Sequence, residues 1–218
     1  MSRGGGRSAD DRPGGPPGRR PDDPPGDRVE RPAATDADPE GNPWRTLSRR
    51  IVYSNGWMTV EEDEVVRPDG LPGIYGVVRF PGRAVGVVAL DETDRIVLVG
   101  QYRYALERYS WEIPEGGADR HDPLGGAKRE LLEETGVSAD RWERLLEADL
   151  SNSITDEGAT VYLATGLTAG EAAPEGTERL AVRWVPFADA LAMVADGRIT
   201  DAISVMAIQA VALRRRDR

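Results

Sequence analysis

Cysteine is absent from the chain, and histidine occurs once, at His121. Together these absences exclude thiol nucleophiles, disulfides, thiolate zinc sites and any metal centre built from several imidazoles of one chain. Long apolar runs are also missing. No stretch approaches the roughly 20 apolar residues that cross a bilayer, so no membrane partner is expected. Residues 1–43 lack the apolar stretch of a secretory signal. A cytoplasmic protein is the natural expectation. Basic charge is in deficit, with 28 Lys and Arg against 38 Asp and Glu, for a net charge of −10. That balance speaks against a nucleic-acid partner, because neutralising duplex phosphates needs a basic surface. Small phosphorylated ligands stay open, provided a metal ion bridges the like charges.

Two compositions share the chain. Residues 1–43 are mostly Gly, Pro, Arg and Asp with few aliphatics, and such a segment cannot bury enough surface to offset its chain entropy. It reads as a disordered tail. From Trp44 onward the composition is that of folded protein, and 218 residues suffice for one domain with a full core. Residues 51–60 read as strand, Asn55-Gly56 turn, strand; residues 61–66, the turn 67–70 and residues 74–80 complete an antiparallel meander. So small a sheet is marginal alone. It must pack on the following domain or on a second subunit, and a homodimer is the preferred reading.

Residues 84–90 and 95–99 are aliphatic, β-branched runs joined by the polar turn 91–94, which predicts a hairpin entering the central sheet. Gln101-Tyr102-Arg103-Tyr104 follows, and Arg103, between two tyrosines, could clamp a phosphate and stack on a base, or pair with an acidic neighbour. Residues 142–150 and 161–164 read as strands around the polar loop 151–158. An exposed acidic loop, 170–178, precedes a strand at 180–185 and a helix at 186–195 entered through Pro186. A last helix, about 201–215, carries the stripe Ile203, Met206, Ala207, Ala210, Val211 and Leu213.

The most informative stretch runs from Trp111 to Val137. Its second half is a helix with both ends marked: Asp122 as N-cap, Pro123 at the first helical position, Gly136 as the stop. Leu124, Ala127 and Leu131 form its apolar side. Glu130, Glu133 and Glu134 stand at i, i+3 and i+4, so three carboxylates leave one side of the helix. Such a face is either solvated or the seat of a cation. Arg129 beside the cluster and the Gly116-Gly117 turn before the helix favour the cation. Hard divalent ions take oxygen ligands, and Mg²⁺ usually shares its shell with substrate phosphates. A backbone carbonyl at Glu115 or Gly116 could add a ligand.

The run Arg129-Glu130-Leu131-Leu132-Glu133-Glu134-Thr135-Gly136-Val137 resembles the C-terminal half of the Nudix box, Gly-x5-Glu-x7-Arg-Glu-U-x-Glu-Glu-x-Gly-U, with U an aliphatic residue. Every position of that half matches. In the first half the box glutamate falls on His121 and the box glycine on Glu115; a one-residue deletion in the loop restores Gly116. In the family that glutamate mainly supports the loop, so the departure bears on loop geometry. The run Asp196-Gly197-Arg198-Ile199-Thr200-Asp201-Ala202-Ile203-Ser204 is similar to the C-terminal signature of the ADP-ribose pyrophosphatase branch.

The resemblance implies an α/β protein: a Nudix-type α/β/α sandwich with a mixed sheet at 81–218, preceded by an antiparallel strand extension at 44–80 that dimerises. It implies Mg²⁺-dependent hydrolysis, with Mn²⁺ able to substitute, of a nucleoside diphosphate linked to a sugar. Cleavage of ADP-ribose to AMP and ribose 5-phosphate comes first. Other nucleotide sugars, nucleoside triphosphates and a non-catalytic nucleotide-binding module are the alternatives. Metal ligands would be Glu115, Glu130, Glu133 and Glu134, and catalytic residues Glu134, Glu157 and Arg129. Arg103 and Glu112 would contact substrate. Asp156 and Glu157 compete for the role of handling the attacking water.

Overall fold

A computed structural model of the chain describes residues 41–171 and 179–216. Most of the tail and most of the 170–178 loop lie outside the described residues. The chain opens with three antiparallel strands, β1 (Arg45–Ser54), β2 (Thr59–Val66) and β3 (Pro72–Arg79), paired in the order β1-β2-β3. Then come β4 (Arg83–Ala89), β5 (Arg95–Arg103), β6 (Arg108–Glu112), β7 (Glu115–Ala118) and helix α1 (Pro123–Thr135). Strands β8 (Val137–Asp149), β9 (Gly158–Ala169) and β10 (Ala181–Pro186) precede α2 (Phe187–Ala195) and α3 (Ala202–Arg216).

Period-two alternation in the central strands sorts side chains between two cores. Val85, Val87, Ala89 and Val97 join Ala127 and Leu131 of α1. Val88, Ile96 and Leu98 join Phe187, Ala190, Ile203, Ile208 and Val211 of α2 and α3. Helix α1 thus covers one side of the strands and α2 with α3 the other, the α/β/α layering expected. Strands β7-β4-β9-β8 form one sheet and β10-β5-β6 a second. In the larger sheet β4 pairs β9 in parallel while β4–β7 and β8–β9 are antiparallel, which makes that sheet mixed.

The expected hairpin between residues 84–90 and 95–99 does not form. The two runs touch through a single bridge, Leu90 to Ile96, and then diverge into different sheets. Both are buried on both faces, so each needs a partner strand on either side. β4 takes β7 and β9, and β5 takes β6 and β10. Asp91 stabilises the divergence by accepting from the amides of Thr93 and Arg95, each at 2.9 Å.

The N-terminal meander is present, with a wider first turn than an Asn-Gly pair would give. Asn55 N donates to Met58 O at 3.0 Å, and Asn55 Oδ1 accepts from the amides of Trp57 and Met58. That side chain satisfies the turn, so Gly56 has no need of a positive φ. Strand β1 starts earlier than expected, at Arg45, and is exposed along its length. Strand β3 fastens the meander to the rest of the chain: Tyr75 donates to Ser153 O at 2.6 Å, and Val78 bridges Thr155.

Candidate active site

Helix α1 carries the site because both its ends and its inner face are fixed. Asp122 Oδ1 accepts from Gly125 N at 2.8 Å, and Pro123 follows it. Gly136 closes the helix in the left-handed region, φ 71°, with its amide on Leu132 O. Ala127 and Leu131 are fully buried, and burying a leucine stabilises by about 1.5–3 kcal/mol. With that face anchored, Glu130 and Glu134 turn towards β7, and Glu133 meets Arg129. Glu134 is 3% exposed and accepts from Glu115 N at 3.1 Å. Glu130 packs against Gly116, where a Cβ would overlap its carboxyl group. Arg129 donates to Glu130 and Glu133, both at 2.6 Å, and to Gly117 O at 2.7 Å. One guanidinium therefore offsets two of the repelling charges and ties the helix to the neighbouring strand.

The glycine segment, expected as a loop, is strand β7. Val85 and Gly116 are register partners, as are Gly86 and Glu115. Glycine serves here because the strand is approached closely from α1: a Cβ at Gly126 would in turn strike Ala118.

A cavity of about 1040 Å³ lies beside these elements, lined among others by Arg103, Glu112, Glu115, Arg129 and Glu157. Glu130, Glu133 and Glu134 adjoin it through Arg129, Gly116 and Glu115. Arg103, at the end of β5, faces inward rather than between its tyrosines. Its Nε donates to both oxygens of Glu112 at 3.0 Å, and its Nη2 to Glu112 and, at 3.0 Å, to Glu115 Oε1. Arg103 thus lines the cavity and is ion-paired within it. Glu112 is 3% exposed and committed to that pair.

The loop after β8 separates Asp156 from Glu157. Asp156 accepts from Phe80 N at 2.9 Å and from Arg120 at 3.3 Å, so it holds β3 and the segment before α1 in place. Glu157 lines the cavity instead. Burial, and secondarily the Asp156 charge, push its carboxyl above the usual carboxylate range. His121, at the box glutamate position, is exposed, its amide held by Asp119.

Two features escaped the sequence. Asp201, ahead of α3, places a carboxylate oxygen within 4.8 Å of those of Glu112 and Glu115; only the 196–204 signature hinted at it. Trp57 and Tyr104, 79% and 92% exposed, stand at the cavity; Trp57 carries no linear signal, and Tyr104 only its place beside Arg103. The donor set around β7 and α1 is all oxygen, and Gly116 leaves the Glu130 carboxylate room that any side chain would fill. Both fit a hard divalent cation.

The NUDIX domain model matches residues 80–204, and the model of the nucleoside diphosphate sugar hydrolase N-terminal domain matches residues 44–78. The ADP-ribose pyrophosphatase of Mycobacterium tuberculosis is 34% identical over 173 residues, covering 77% of this chain and 83% of that protein. The CMP-5'-(N-acetyl-N-hydroxy-3-aminopropyl)phosphonate hydrolase of Streptomyces rubellomurinus is 31% identical over 169 residues, covering 77% and 82%. A crystal structure of an ADP compounds hydrolase superposes with a TM-score of 0.72 at 22% identity, covering 80% of this chain and 95% of that one. With a box helix, a carboxylate set and a domain match over most of the folded region, the chain belongs to the Nudix hydrolase family.

Proposed function

We propose that the chain hydrolyses the pyrophosphate of a nucleoside diphosphate linked to a sugar, with ADP-ribose, giving AMP and ribose 5-phosphate, as the leading substrate. The observation that carries this reading is one cavity lined by Arg103, Glu157, Glu115 and Arg129, the last two bonded to the α1 carboxylates Glu134, Glu130 and Glu133. The similarity to an ADP-ribose pyrophosphatase supports the substrate class. Glu130, Glu133, Glu134 and the carbonyl of Glu115 would hold Mg²⁺, which Mn²⁺ can replace. Bound there, the ion would neutralise the diphosphate and lower the pKa of water.

The remaining work falls to side chains of the chain itself. Glu157, with its raised pKa, accepts a proton from the attacking water as that oxygen approaches phosphorus. Arg103 directs its guanidinium at phosphate oxygens, and Glu112 holds that guanidinium in orientation. Arg129 keeps Glu130 and Glu133 at fixed positions, as outer-shell partners of ligands do. Trp57 and Tyr104 offer open ring faces on which a nucleobase can stack. The exposed β1, with Leu47, Ile51, Val52 and Tyr53 uncovered, supports a homodimer in which the N-terminal sheet meets a second copy. The exposed run of apolar side chains is larger than a lone surface residue would explain.

A substrate panel tests the reading. ADP-ribose, ADP-glucose, GDP-mannose and ATP are compared by kcat/KM in excess Mg²⁺, with ADP-ribose expected to lead. Fastest turnover of ATP would overturn the substrate class, and binding without any product would point to a non-catalytic module.

A further inference from the structure

We propose that Glu112, Glu115 and Asp201 form a second seat for a divalent cation, separate from the carboxylates of α1. One oxygen from each lies within 4.8 Å of the others. The Glu115 side chain is nine-tenths buried, 10% exposed, and its Oε2 is buried without a hydrogen-bond partner. A buried carboxylate oxygen left unpaired is costly, and such an atom on a carboxylate grouped with two others calls for a positive ligand. Arg103 does not supply it, since its donors go to Glu112 and to the other oxygen of Glu115. Three carboxylates and one guanidinium leave two negative charges, which one divalent ion cancels.

The seat is held from both sides. Asp201 Oδ2 accepts from Ser204 N at 2.7 Å, capping α3. Ser204 Oγ in turn accepts from Ile113 N at 2.9 Å, fixing the start of α3 against the segment that carries Glu112 and Glu115. The two seats meet at Glu115, whose backbone amide binds Glu134 while its side chain faces Asp201. An all-oxygen donor set suits Mg²⁺, Mn²⁺ or Ca²⁺. An ion there adds positive charge beside Arg103 on the cavity wall. A proton shared between Glu115 and Asp201 is the rival way to fill the gap: burial, with Asp201 and Glu112 adding to it, holds the Glu115 carboxyl well above its usual range.

Mn²⁺ binding to the full chain without nucleotide separates the two. Electron paramagnetic resonance counts bound Mn²⁺ in the Glu130→Gln/Glu134→Gln variant, in which the α1 seat is disabled. One Mn²⁺ should remain, and adding Asp201→Asn should weaken it at least tenfold; asparagine keeps the α3 cap, which circular dichroism verifies. Glu115→Gln should weaken it similarly, so the result does not hang on one variant. Absence of bound Mn²⁺ in the first variant, or binding indifferent to both Asp201→Asn and Glu115→Gln, overturns the seat and leaves the proposed reaction untouched.

Discussion

At Gly116 a hydrogen atom stands where any other residue would place a carbon against the Glu130 carboxyl. Gly116→Ala should therefore shift Glu130 and lower activity by about 10–100-fold, the usual effect of disturbing a ligand's support. A thermal unfolding scan should show little change beside that loss. As the proposed base, Glu157 has to be ionised to act, and burial raises its pKa, so kcat/KM should climb with pH through a value above the ordinary carboxylate range. Glu157→Gln should flatten that limb in a pH–rate profile. The string from Arg129 to Gly136 was legible because its residues meet through helix periodicity alone. The different surroundings of Asp156 and Glu157 were not, since two adjacent acids differ only in what the fold brings to them. Here the Phe80 amide and Arg120 occupy Asp156.

Helix α1 transmits packing to the site. Leu131 is fully buried against β4 residues on the face adjoining the glutamates, and Leu131→Ala should cost about 2–5 kcal/mol. For a domain of this size that lowers Tm by roughly 2–4 °C per kcal/mol, measurable by calorimetry. The helix ends were readable from Asp122, Pro123 and Gly136, because caps are local chemistry. Strand partners were not. The runs around residues 91–94 carry every signal of a hairpin, yet their two buried faces send them to separate sheets. The glycines of β7 look like a loop until a helix is seen to press on them. Strands β8 and β9 run longer than their apolar stretches, since their polar outer positions still complete the ladder between them.

At the scale of the molecule, the layered fold follows from sequence patterning, while the relation between copies does not. Strand β1 leaves Leu47, Ile51, Val52 and Tyr53 uncovered. Light scattering of the full chain should give about twice the 23.7 kDa of one copy, and Ile51→Asp should shift the population towards single chains. The cavity depends on contacts that span the whole chain: Trp57 from the N-terminal sheet, Arg103 from the middle and Asp201 from the start of the last helix line it together. No window of sequence contains them. The central claim is that the α1 carboxylates drive cleavage of a nucleotide sugar in that cavity. Its most direct test is product analysis of ADP-ribose incubated with the protein and with Glu134→Gln in excess Mg²⁺. AMP and ribose 5-phosphate from the first, and at least a hundredfold less from a folded variant, is the expected result. Equal product from both proteins would contradict the claim.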